Sequence, residues 1–161
     1  MRILCCLDGS NFDQIHTTLQ TMFPSETHML NFLYVIDSGP RREVERKTGP
    51  LMRRMSPDHA RYEQMRQAEE FNARDVLAEA RIQYSNAETI SRQGQPEREI
   101  VNYAASWSAD LILVCPRSPQ RNEPVIGPKS VGHVARFVLD HAPCPVLLAR
   151  PITREHFPLK K

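Results

Sequence analysis

The sequence predicts a three-layer α/β/α fold built on an open parallel sheet, and three observations carry that expectation. Short, almost wholly apolar runs alternate with longer segments of helical period, the arrangement that parallel strands joined by crossover helices require. The runs Arg2 to Leu7, Met29 to Ile36 and Leu111 to Cys115 are apolar enough to be strands covered on both faces. A chain of 161 residues, 40% hydrophobic and 25% charged, suits one compact unit with a single core.

Each element follows from local pattern. Arg2 to Leu7 is the first strand. Asn11 to Met22 carries Phe12, Ile15, Leu19 and Met22 at helical spacing, with Ser10 or Asn11 as cap and Pro24 as stop. Met29 to Ile36 is the second strand. Residues 38–57 then form a long basic insertion, where arginines and lysines far outnumber acidic residues among glycines and prolines. Ser56-Pro57-Asp58 opens a helix running to about Ile82, with proline at its first position and an acid in its first turn. Tyr62, Met65, Ala73, Val76, Leu77 and Ala80 mark its apolar stripe, which Glu69 and Asn72 interrupt. Ala87 to Arg92 is a weaker third strand, Gln95 to Trp107 a helix, and Leu111 to Cys115 the fourth strand. Pro116 to Pro128 holds four prolines and reads as a stiff loop. Ser130 to His141 is the last helix, with Val131, Val134, Phe137 and Val138 inward, and Pro145 to Ala149 the fifth strand. Residues 151–161 form a basic tail.

Composition narrows the function. Lys+Arg of 21 against Asp+Glu of 19 leaves a net +2, so no global field calls for nucleic acid or an anionic membrane surface. No apolar run approaches the ~20 residues that cross a bilayer. The opening Met1-Arg2-Ile3-Leu4-Cys5-Cys6 meets Asp8-Gly9-Ser10 at once, unlike a secretory signal, so a cytoplasmic location is expected. Four cysteines, Cys5, Cys6, Cys115 and Cys144, sit in or beside apolar runs without metal-ligand spacing and read as reduced core thiols. None of the six histidines forms a metal-spaced pair, so no metal site is expected. Gly-x-Ser-x-Gly and Gly-x-x-x-x-Gly-Lys-Ser are both absent.

In an open parallel sheet the ligand crevice lies beyond the carboxyl ends of the strands. Asp8-Gly9-Ser10, Val35 to Gly39 and Pro116 to Ser130 converge there. Asp8 offers an acceptor for a ribose hydroxyl or a metal, and equally ordinary turn chemistry. Ser130 reads as the cap of the following helix, whose first N–H groups, at Val131, Gly132 and His133, make either a plain capped helix start or an anion site to which Lys129 adds positive charge.

Four stretches together resemble the universal stress protein family across nearly the whole chain. They are Ile3 to Ser10, Leu33-Tyr34-Val35-Ile36-Asp37, Gly94-Gln95-Pro96 through Val114, and Gly132 through His141-Ala142-Pro143-Cys144-Pro145-Val146-Leu147-Leu148. The resemblance implies a Rossmann-like five-stranded sheet of order 3-2-1-4-5, like that of the adenine nucleotide alpha hydrolases, within a domain at residues 1–150. It implies a homodimer and, in one branch, ATP at the carboxyl edge of the sheet. Asp8 would then face the ribose and the backbone of Val35 the adenine. Of the family's phosphate-binding glycines only Gly132 is in place. Asn122 and Pro119 stand where the two earlier ones belong, and His133 where a hydroxyl residue belongs. Proline has no N–H to give to phosphate, so ATP binding is expected to be weakened, with Arg117, Arg121, Lys129 and Ser130 as compensating contacts.

The strand Pro145 to Ala149 carries no charge and, in that strand order, lies at an edge, which pairing with a second copy covers. The expected function is a non-enzymatic, dimeric nucleotide- or anion-binding module in stress response or signalling, with a protein partner that the sequence does not name. Two alternatives stand beside it: an enzyme that cleaves ATP at the α-phosphate, using Asp8 and His133, and a partner-binding dimer with no ligand.

Overall fold

The structure is a computed structural model that describes residues 1–24, 27–38, 57–116 and 130–151, with the backbone alone for 57–62. The loop 117–129, most of the basic insertion and the tail beyond 151 lie outside the described residues.

The elements in chain order are β1 (Arg2–Leu7), α1 (Phe12–Met22), β2 (Met29–Asp37), α2 (Pro57–Gln83), β3 (Glu88–Gly94), α3 (Pro96–Trp107), β4 (Leu111–Val114), α4 (His133–His141) and β5 (Val146–Leu148). The strands form one sheet of order β3-β2-β1-β4-β5, every neighbouring pair parallel. Cys5 pairs with Phe32 on one side and Leu113 on the other, which puts β1 at the centre.

Alternation along β1 divides the core in two. Ile3, Cys5 and Leu7 pack with Phe12, Ile15, Leu19, Ala73, Val76 and Ala80 under α1 and α2. Leu4 and Cys6 pack with Ile100, Ala104, Ala135 and Val138 under α3 and α4. The adjacent cysteines therefore sit in different layers, and all four cysteines are free thiols. Pro96 begins α3, where its missing N–H costs nothing, and Ser108 ends it in the left-handed conformation at φ 56°.

One buried polar side chain fixes β2 against β3. Asn31, 1% exposed, donates through Nδ2 to Glu88 Oε2 at 2.9 Å and to the Tyr103 hydroxyl at 2.8 Å. The Trp107 indole donates to the same Glu88 oxygen at 3.0 Å, tying α3 to the start of β3. A strand slipped by one residue would lose these bonds and leave the amide unpaired.

Three sequence expectations are corrected. Met22 and Met65, assigned to apolar stripes, are 56% and 54% exposed, because the buried faces of their helices are completed by Leu19 and by Ala73, Val76 and Ala80. The last helix begins at His133 rather than Ser130: Gly132 precedes it at φ 80°, ψ 167°, backbone that an α-helix does not contain. Ser130 is thus no helix cap, and Val131 lies ahead of the helix.

Candidate functional site

Chain order reverses between β1 and β4, and a cavity of about 510 Å³ opens at the carboxyl ends of these strands and of β2. Asp8, Val35, Gly132 and His133 all line it. Ser130 does not: it is 5% exposed and its hydroxyl accepts from Arg150 Nη2 at 3.1 Å, which fastens the approach to α4 onto the end of β5. Arg117 and Lys129 lie outside the described residues, as does Arg121.

The β1–α1 turn is held by its own side chains. Asp8 Oδ1 accepts from the Ser10 N–H and from the Ser10 hydroxyl, each at 3.0 Å. Asn11, buried beneath, accepts from the Asp8 N–H at 3.0 Å and donates to the Cys6 carbonyl at 3.0 Å. The turn chemistry of Asp8 is real, and it leaves the exposed carboxylate fixed at the cavity edge. Gly9 stands at φ 88°, and a Cβ there would collide with the Asn72 side-chain amide and come within 3.3 Å of the Tyr34 hydroxyl. The positive φ is what calls for glycine, since the Asn72 amide could swing aside.

The opposite wall comes from the two helix starts. The first i to i−4 bond of α4 runs from Arg136 N to Gly132 O at 3.2 Å, and no side chain among the described residues caps the helix. The N–H groups of His133, Val134 and Ala135 thus have no carbonyl within the helix and stand in the cavity wall, where the helix dipole favours negative charge. His133 is 78% exposed, with Nε2 3.7 Å from Glu97 Oε1 in the first turn of α3. That is an ion-pair distance when the imidazole is protonated, too long for a hydrogen bond.

Sequence reasoning passed over α2 as a contributor. Glu69 lines the cavity, and Asn72 Nδ2 donates to the Tyr34 hydroxyl at 3.4 Å above it. Their signal was present as the two polar breaks in the apolar stripe of that helix. Burial, then the nearby Asp37 charge, pushes the Glu69 carboxyl up, against a hydrogen bond from the Asp37 backbone N–H. Burial and the Glu69 charge raise the Tyr34 phenol, which Asn72 partly offsets. Cys115 in the floor is pushed up to about 12 by burial and by Asp8, against a bond to Asn11, so it is a protonated, unreactive thiol. No group of three or more metal-binding side chains occurs among the described residues.

The sequence profile of the universal stress protein family matches residues 1–150. No curated relative matches the chain. Among solved structures, the universal stress protein UspA from Lactobacillus plantarum is 24% identical, with coverage of 93% of this chain and 97% of that one and a TM-score of 0.70. A universal stress protein family protein from Arabidopsis thaliana with AMP bound is 17% identical, with coverage of 96% and 94% and a TM-score of 0.61. A universal stress protein from Archaeoglobus fulgidus is 17% identical, with coverage of 93% of each chain and a TM-score of 0.53. These likenesses establish a shared fold.

Proposed function

The chain belongs to the universal stress protein family, and on that premise we propose that it is a non-enzymatic module whose cavity binds an adenine nucleotide. The observation that carries this reading is the meeting of Asp8, Val35 and the amides at the start of α4 in one hollow at the β1/β4 reversal. Support also comes from the AMP held by the Arabidopsis thaliana protein of the same fold. Asp8 would accept the ribose hydroxyls, the half-buried edge of β2 at Val35 would meet the adenine, and the N–H groups of His133, Val134 and Ala135 would receive one phosphate.

The site suits one phosphate better than three. Asp8 and Glu69 are the only carboxylates among the described lining residues, and none of those residues is a lysine or arginine. Contacts for further phosphates would have to come from residues 117–129, where the sequence places Pro119 and Asn122 in the positions of amide-presenting glycines. Titration calorimetry with AMP, ADP and ATP tests the reading. AMP is expected to bind at least as tightly as ATP, and Asp8→Ala is expected to weaken AMP by about tenfold or more through lost charged hydrogen bonds. Unchanged AMP affinity in Asp8→Ala would refute the assignment.

The approach of His133 to Glu97 gives the ATP-cleaving alternative a concrete pair to test. Labelled ATP with magnesium is expected to remain intact over long incubation, and many turnovers per protein, abolished in Glu97→Gln, would replace a binding module with an enzyme. We further propose a homodimer through β5. That strand is at the sheet edge, and exposed Met22 lies beside Leu147 and Leu148 along a groove between α1 and β5.

A further inference from the structure

The groups assigned to AMP stand on two walls of the cavity, and contacts that lie outside it fix one wall against the other. On the first wall the Asp8 N–H donates to Asn11 Oδ1 at 3.0 Å, and the Asn11 carbonyl receives the Ile15 N–H at 3.1 Å, so the turn is bound to the first turn of α1. On the second wall the amides of α4 begin at Gly132, which has no side chain to anchor them. Their anchor lies two residues earlier.

Ser130 is 5% exposed, and its hydroxyl accepts from Arg150 Nη2 at 3.1 Å. Arg150 is steadied through its neighbour. Ala149, 3% exposed, donates its N–H to the Val114 carbonyl at 2.8 Å, and its own carbonyl accepts from Gln14 Nε2 at 2.6 Å. Gln14 lies in the first turn of α1, beside Asn11. A continuous route of covalent and hydrogen-bonded links therefore leads from Asp8 through α1 and the end of β5 to Gly132. It passes around the cavity, since Gln14, Ala149, Arg150 and Ser130 are not among the residues that line it.

The spacing of the two walls matters because groups that grip both ends of one ligand must be held to within about 0.5 Å by the side chains behind them. A guanidinium suits that task, because its planar fork loses less freedom per hydrogen bond than a lysine chain does. We propose that Arg150 is a positioning residue for the nucleotide: through Ser130 it holds the α4 amides at the distance from Asp8 that lets one ligand reach both. The inference rests on the nucleotide reading above and adds a residue that never meets the ligand.

Full-length Arg150→Met, Arg150→Lys, Ser130→Ala and the Arg150→Met/Ser130→Ala pair test it by titration with AMP and with adenosine, which keeps the base and ribose but has no phosphate. Arg150→Met and Ser130→Ala should each weaken AMP about three- to tenfold, the scale of one net hydrogen bond, with adenosine changed by less than about twofold. The pair should lose no more than the worse single variant, and Arg150→Lys should recover part of the loss. With no ligand present, the backbone amide signals of His133, Val134 and Ala135 should move in Arg150→Met while those of β1 and β2 stay, which also reports folding. Unchanged AMP affinity in Ser130→Ala, or additive losses in the pair, would make Arg150 a direct phosphate contact and overturn the inference. So would an equal loss for adenosine, or α4 amide signals that do not move. A parent chain that binds no AMP would instead overturn the nucleotide reading, and the ligand-free amide signals would still decide whether Arg150 places the start of α4.

Discussion

Replacing Gly132 by alanine is expected to cost both stability and ligand affinity, by separate routes. The residue sits at φ 80°, ψ 167°, a region that residues with a Cβ essentially do not occupy, at a penalty of about 1 to 3 kcal/mol. Alanine also restricts the unfolded chain, which returns roughly 0.4 to 1 kcal/mol. The net loss is therefore about 0 to 2.6 kcal/mol, or about 1.3 at the midpoints of the two ranges, which is a fall in Tm of roughly 3 to 5 °C for a domain of this size. Urea unfolding reads it as a lower midpoint at unchanged slope. If the strain is relieved by rotating the peptide ahead of His133, the amide cradle is misaligned, and AMP affinity should drop about ten- to a hundredfold for a lost charged contact. A variant more stable than the parent would refute the strain, and unchanged AMP binding in the folded variant would refute the role given to the start of α4.

Three other outcomes are expected. The raised Glu69 carboxyl means that the folded state holds its proton more tightly than the unfolded chain, so this group's contribution is complete below the ordinary carboxylate range and is lost as pH rises through the raised value. Glu69→Gln should therefore flatten the decline in urea midpoint as pH rises above the ordinary carboxylate range, and an unchanged slope would contradict the burial argument. Cys115, pushed up to about 12, should be about one part in ten thousand thiolate at pH 8. Iodoacetamide with mass mapping should modify Cys144 well before Cys115, and Cys115 reacting first would be inconsistent with its surroundings. Leu147→Lys places a charge in the proposed β5 pairing and should sediment as a monomer, whereas a dimer that persists would exclude that interface.

The central fold was legible because its strands are buried on both faces and carry little but apolar side chains. β1 occupies Arg2–Leu7 and α2 begins at Pro57, both as read. β3 extends beyond its expected end to Gly94, since an edge strand with Ser91, Arg92 and Gln93 lacks the apolar run that would mark it. The start of α4 was misplaced because a serine ahead of apolar residues resembles a cap, while the deciding fact is the backbone angle of Gly132. Asp8, Val35, Gly132 and His133 line one cavity, at the positions after β1, after β2 and before α4 that the strand order brings to the same edge of the sheet. Glu69 and Asn72 show in the sequence only as polar breaks in a stripe, and their link to the site comes from contacts between residues far apart in the chain, such as Asn72 with Tyr34 beside Gly9, which the local pattern does not reveal.

The β1–β4 junction has a mechanical consequence. β1 is joined to β2 by six residue pairs but to β4 by only three, so the sheet has a short seam between an early half and a late half of the chain. The cavity at the carboxyl ends of the strands straddles that seam, with Asp8 on one side and the start of α4 on the other. An occupant gripping both sides would act as a clasp, adding its binding free energy to the cost of any opening that parts the two halves.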